Sequence, residues 1–229
     1  MKNNLFKFIL AISAAILLFS CSSVPKEQPF TVSLKSTGYP IGTIEVYLNK
    51  QNVFSNDIEK NELDVYYHPD ENAICLHFKA SYFINCKQFW SKEGRDAFTA
   101  AFDLYKREFE ERSLKKANYK KTREAYGETS GYFTWKKNLL SVQAYGGSRV
   151  KLGYLFKDKA VFFSATQMEV DYIDPISNSR NQKSATVTIY FTQTQAESLI
   201  ALFNQSYLKS LNIPSSGEGG INWEEIDEY

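Results

Sequence analysis

The chain predicts an α+β domain: an antiparallel sheet of about seven strands with two amphipathic helices packed on it. Three observations carry that expectation. Apolar and polar residues alternate with period two along most of the chain. The links between those segments are too short for parallel crossovers. Two other stretches instead show a 3.6-residue apolar stripe, each opened by a hydroxyl residue.

The strands come in order. Gly42 to Leu48 alternates around Ile44, Val46 and Leu48. Leu63 to Tyr67 leads into the turn His68-Pro69-Asp70-Glu71-Asn72. Ile74, Leu76, Phe78, Ala80 and Tyr82 then alternate with Cys75, His77, Lys79 and Ser81, as a half-buried strand does. Gly131 to Trp135, Leu139 to Tyr145, Arg149 to Phe156 and Ala160 to Tyr172 follow. Their links are Lys136-Lys137-Asn138, Gly146-Gly147-Ser148 and Lys157-Asp158-Lys159, which predict hairpin turns. Ser184 to Phe191 is the last strand, beyond a polar loop from Asp174 to Lys183.

The first helix is expected from Ser91 to about Leu114, with the stripe Phe98, Ala101, Phe102, Tyr105 and Phe109. The second opens on Thr192-Gln193-Thr194-Gln195, a capping box in which hydroxyl and amide each satisfy a free backbone N–H. Its stripe is Ala196, Leu199, Ile200, Phe203 and Tyr207. One apolar face per helix implies packing on the sheet. Phe89-Trp90-Ser91 is echoed by Tyr190-Phe191-Thr192 at an offset of 101 residues. That echo fits either an old duplication of a strand–helix unit or two solutions to one packing problem.

The chain's first residues carry a different signal. Lys2 and Lys7 precede Phe8 to Phe19, about 12 residues that are apolar except for Ser13. That run has the size of a secretory core and is shorter than the roughly 20 residues needed to span a bilayer. Leu18-Phe19-Ser20-Cys21 follows. It resembles the lipobox of bacterial lipoproteins, and Phe19 makes it look like the relaxed lipoboxes of spirochaetes. The resemblance covers residues 1–21. It implies a signal peptide over residues 1–20, cleavage between Ser20 and Cys21, a diacylglyceryl thioether on Cys21, and usually an acyl chain such as palmitate on the new amine. Ser22 follows Cys21; under the enteric sorting rule that implies the outer membrane rather than the inner.

Residues 21–30, with Pro25 and Pro29, read as a lipidated tether. A single domain is expected over 31–211. Residues 212–229 combine Pro214, Gly217, Gly219 and Gly220 with Glu224, Glu225, Asp227 and Glu228, and read as a flexible acidic tail.

Composition narrows the function. With 17 Phe, 15 Tyr and 3 Trp the chain is built to bury a core. Loss of residues 1–20 removes two lysines and no acid, so the net charge goes from +1 to −1 and gives nucleic acid no bulk attraction. Export makes a Cys75–Cys86 disulfide conceivable. On one extended run these residues lie far beyond disulfide reach, and a turn between them would restore it. The sequence leaves the question open.

Short catalytic and ligand motifs are missing. The mature chain has only His68 and His77, with no HxH, HExxH or CxxC, so neither a metal nor a cofactor is expected. Gly127-Glu128-Thr129-Ser130-Gly131 lacks the spacing of a nucleophile elbow. The S-x-x-K matches, Ser206/Lys209 among them, are what composition alone supplies. Lys106, Arg107, Arg112, Lys115, Lys116, Lys120, Lys121 and Arg123 crowd the exit of the first helix, where cations suit the helix dipole. Glu108, Glu110, Glu111 and Glu124 are interspersed, so the expected field is weak, and a solvated helix end competes with a contact to anionic lipid or an acidic partner. Tyr132, Phe133, Trp135 and Tyr145 with Arg149 could form an aromatic binding face, with Trp135, Tyr145 and Arg149 as its contacts.

The expectation is therefore a lipid-anchored envelope lipoprotein acting as a non-enzymatic binding or structural module, with the membrane and an envelope protein as partners. An envelope hydrolase without a short motif, and a carrier of a small ligand or lipid, are the alternatives.

Overall fold

The computed structural model describes residues 30–33, 36–49, 58–81, 84–137, 142–172 and 182–213. The strands are β1 (Tyr39–Asn49), β2 (Ile58–His68), β3 (Ala73–Ser81), β4 (Ile84–Trp90), β5 (Glu128–Lys137), β6 (Val142–Lys157), β7 (Ala160–Gln167), β8 (Asp171–Tyr172), β9 (Gln182–Lys183) and β10 (Val187–Phe191). The helices are α1 (Lys92–Glu110), α2 (Tyr119–Thr122), α3 (Gln193–Phe203) and α4 (Gln205–Ser210), with a 3-10 turn at Pro69–Glu71.

The α+β, antiparallel character holds, and the expected sheet of about seven strands is a closed barrel of eight, ordered β1-β10-β7-β6-β5-β4-β3-β2. Closure comes from β1 pairing antiparallel with β10, at Tyr47↔Tyr190 and Leu48↔Ile189. β8 and β9 form a separate two-stranded ladder. Twist brings the outer strands of an eight-stranded meander together, and their pairing removes both edges.

Three local corrections follow from the ladder. Gly146 and Gly147 are not a turn: they pair with Phe133 and Tyr132 inside one 16-residue strand, β6. Ile84 to Trp90 is a strand that the sequence reading lacked. Its inward residues are Cys86, Gln88 and Trp90, and a buried glutamine hides the alternation. The second helix is two helices. Asn204 leaves the helical region at ψ 122, and its side chain caps α4 by accepting from Ser206 and Tyr207 N–H.

Alternation sets the two faces of the wall. Ile44, Val46, Leu48, Leu63, Val65, Ile74, Leu76, Phe133, Val150, Leu152, Ala165 and Ile189 are buried in one continuous core. Thr43, Glu45, Glu62 and Lys79 on the alternate positions are half-buried or exposed. A barrel that crosses a membrane has the reverse polarity, apolar outside and polar within. No helix among the described residues is long and apolar enough to cross a membrane.

Antiparallel order places the start of β1, the end of β4, the start of β5, the end of β6 and the end of β10 at one end of the barrel. The helices close that end. Phe98 of α1 meets Trp90, Phe163, Phe191 and Phe203 at ring separations of 5.5, 5.2, 5.6 and 5.4 Å. Arg95, 2% exposed, donates to Asn72 O at 2.7 Å and to Gln205 Oε1 at 2.8 Å, tying α1 to the β2–β3 turn and to α4. Of the expected stripe, Phe98, Ala101, Phe102 and Tyr105 are buried and Phe109 is exposed.

The helix stops short of Leu114 because Arg112 turns left-handed at φ 54. Ser113 N–H then donates to Glu108 O and Arg112 N–H to Phe109 O, a Schellman ending. The capping box at Thr192 and Gln195 forms as expected. Ser91 caps α1 with nearly the same backbone angles, φ −66 and ψ 172 against −68 and 167. Each four-strand run thus ends in a capped helix, and the first strand of each run pairs with the last strand of the other.

Phe30, Val32 and Ile213 also pack on the body, one residue beyond the expected start and two beyond the expected end. The residues expected as leader and tether up to Pro29, and the tail from Pro214 onward, lie outside the described residues.

Candidate functional site: a cationic strap on the barrel wall

After α1 the chain runs outside the barrel from Arg112 to Gly127 before entering β5. This strap is clamped to β6. Tyr126 N–H donates to Leu152 O at 3.0 Å, and Leu152 N–H donates to Gly127 O at 2.9 Å. Tyr154 Oη donates to Lys115 O at 3.0 Å. Thr122, 4% exposed, sits directly over Gly153. A Cβ at Gly153 would lie 1.9 Å from Thr122 O and 2.5 Å from Arg123 C, so only glycine allows this approach.

Beneath the strap lies a cluster of hydroxyls on β7 and β10. Tyr119 Oη and Thr188 Oγ1 are 3.0 Å apart, Tyr190 Oη donates to Tyr119 Oη at 3.3 Å, and Thr166 Oγ1 and Thr188 Oγ1 are 3.1 Å apart. Burial, then the neighbouring Tyr119, pushes the Tyr190 phenol far above its ordinary range, so it stays a neutral partner. These contacts are neutral hydrogen bonds and use none of the strap's cations.

Those charges have one sign. Between Arg112 and Arg123 there are six cations and no carboxylate: Arg112, Lys115, Lys116, Lys120, Lys121 and Arg123. All but Arg123 are exposed. The Arg123 guanidinium lies over the Tyr119 ring at 5.9 Å and the Lys116 ammonium over Phe156 at 5.6 Å, so two of the charged ends lie over aromatic rings. The acids that weakened the expected field are partly taken up. Glu124 pairs with Lys151, and Glu108 accepts from Tyr126 Oη at 2.8 Å. Lys116, Tyr119, Thr122, Leu155 and Phe156 line an open depression of about 440 Å³, with Asp158 at its rim.

The residues expected to form an aromatic face separate. Thr134 pairs with Tyr145 and Trp135 with Ala144, so Tyr145 points outward and Trp135 points toward the core. Arg149 shares the outer face with Tyr145 and pairs with Glu128 at 3.1 Å. Tyr145 is 55% exposed and remains available as a contact. Cys21 and the Ser20–Cys21 bond lie outside the described residues.

The remaining reactive side chains have structural surroundings. Cys75 and Cys86 are free and buried, one on the outer face against Val32 and Phe89, the other in the core. Their strands do pair antiparallel, but the thiols point to opposite faces. Burial pushes both thiols well above their ordinary range. Ser36 Oγ meets His68 Nδ1 at 3.0 Å, and burial, then the nearby Lys87 charge, lowers His68 to about 4. Inside the barrel Gln88 Nε2 donates to Gln167 Oε1 at 3.0 Å, and Trp90 Nε1 donates to Gln88 Oε1 at 3.2 Å. Sequence reasoning missed this chain because two glutamines on apolar faces carry no pattern. Among the described residues no group of three or more His, Cys, Asp or Glu is placed to hold a metal.

A sequence family described as "Uncharacterised Treponema protein" matches residues 41–210. The chain belongs to that family. The match runs from β1 to α4, so the family unit is the barrel with its helical lid and its strap. A Treponema family is a spirochaete family, and residues 1–40 fall outside the match. No curated protein and no solved structure matches the chain.

Proposed function

We propose that this member of the Treponema family is a lipoprotein, cut between Ser20 and Cys21 and held on the envelope, on the outer membrane, by lipid on Cys21. Its barrel serves as a non-enzymatic binding or structural module. The observation that carries the second half is the filled interior. Eight strands leave a lumen wide enough for side chains. Here Leu63, Val65, Ile74, Leu76, Phe133, Phe163 and Ile189 occupy it, and the Gln88–Gln167 bond links β4 to β7 within it. A partner is therefore met on the outer wall, where the charged residues are. The depressed His68 and the two raised thiols are poor acid–base or nucleophilic groups, which supports the same reading.

Metabolic labelling with an alkyne fatty acid tests the anchor: the wild type should take up label and Cys21→Ser should not. Titration with a neutral fluorescent lipophile tests the filled lumen. Saturable one-to-one binding at low micromolar concentration would turn the reading to a carrier.

A further inference from the structure

We propose that the Arg112–Arg123 strap docks this protein onto the anionic headgroups of the bilayer that carries its lipid anchor. The inference rests on the lipoprotein reading for its anchor and on independent observations for its surface. The Arg112–Arg123 run of the strap holds six cations and no acid, five of the six are exposed, and Lys159 of the adjoining hairpin is a further exposed cation. Its backbone is fixed to β6 through Gly153, Leu152 and Tyr154, so the charges are presented without an ordering cost at each encounter. Leu104 and Phe109 of α1, 40% and 39% exposed, supply apolar contact at the helix-closed end. Asp103, Glu110, Glu111 and Asp158 are exposed acids on the neighbouring elements, and Glu124 and Glu128, exposed as well, pair with Lys151 and Arg149 rather than with the strap cations.

The chain's own path supplies the orientation. Residues 30–33 and Ser36 lie on the outer wall at the helix-closed end. Val32 packs with Cys75, Phe89 and Tyr132, Ser33 N–H donates to Glu71 Oε1 at 2.7 Å, and Ser36 meets His68. From Phe30 to Cys21 there are nine residues, which extend at most about 30 Å. The anchor therefore holds the helix-closed end near the surface, and α1 crosses that same end toward the strap. Exposed cations act over a Debye length of about 8 Å in physiological salt, so such a tether brings them within reach.

The test uses the full-length lipidated protein in vesicles of phosphatidylcholine alone or of phosphatidylcholine with phosphatidylglycerol. Amide hydrogen exchange is followed on peptides from residues 104–126. Exchange should slow at least about fivefold in the anionic vesicles, the factor that one retained Lys–lipid contact supplies, and high salt should reverse it. The exposed set K115Q/K116Q/K120Q/K121Q should lose the protection and keep the wild-type melting curve. Equal exchange in both vesicles overturns the proposal. So does equal protection by soluble polyglutamate without vesicles, which would assign the strap to an acidic partner. Flotation with neutral vesicles reports the anchor separately. Should the protein fail to float there, its binding to anionic vesicles still decides the strap.

Discussion

Gly153→Ala adds one methyl group where the strap crosses β6. The new Cβ would stand 1.9 Å from Thr122 O and 2.6 Å from Arg123 O, both backbone atoms that no rotamer change can move aside. Ordinary contact needs about 3.5 Å, so the strap must lift by roughly 1.5 Å at Thr122. Such a shift breaks the Tyr154–Lys115 bond and strains the Tyr126–Leu152 and Leu152–Gly127 pair. At about 1 kcal/mol for each bond lost, with the overpacking term, the cost is about 2–4 kcal/mol. Gly146→Ala on the same strand is the control, because a Cβ there meets nothing within 4 Å, and it should change stability by less than about 0.5 kcal/mol. Urea melts of residues 22–229 measure both, and limited trypsin digestion should cut Lys120 and Lys121 faster in Gly153→Ala than in wild type. If Gly153→Ala melts and digests like wild type, the strap does not lie on β6 as described.

Other consequences can be measured on the same protein. Phe98→Ala removes the ring that touches Trp90, Phe163, Phe191 and Phe203 and should cost about 4 kcal/mol, against about 1 kcal/mol for Thr192→Ala through the lost cap, in the same urea melts. His68 titrates at about 4 when folded and at 6.5 when unfolded, so the unfolded chain binds the extra proton between those values. Stability should be full above pH 6.5, fall by up to about 3 kcal/mol as the pH drops to 4, and flatten below; His68→Gln should remove that slope from the pH series. Cys75 and Cys86 should resist a thiol reagent in the folded protein and yield two thiols in denaturant, and a disulfide-linked species would contradict their placement on opposite faces.

Local chemistry was legible in the sequence and long-range pairing was not. The Thr192 capping box, the Ser91 cap and the Lys157-Asp158-Lys159 turn depend on residues within four positions of one another, and the structure contains all three. Asp158 takes the turn's left-handed conformation at φ 53. Barrel closure depends on Tyr47 meeting Tyr190, which no local pattern encodes. Gly146-Gly147 has hairpin chemistry, yet cross-strand pairing with Tyr132 and Phe133 overrides it. For the candidate site, the cations were legible and their arrangement was not. The sequence interleaves them with Glu108 and Glu124, and only the fold hands those two acids to Tyr126 and Lys151. Trp135 and Tyr145 lie in the same aromatic run, but one residue of register sends them to opposite faces.

Lipid on Cys21 would place this barrel at a membrane. Intact mass and N-terminal peptide mass of the protein purified from its own envelope test it most directly. The expected chain begins at Cys21 and carries a diacylglyceryl group on the sulfur and an acyl chain on the amine, and deletion of residues 1–21 should release a soluble domain. An unmodified N-terminus, or cleavage at any bond other than Ser20–Cys21, would contradict it.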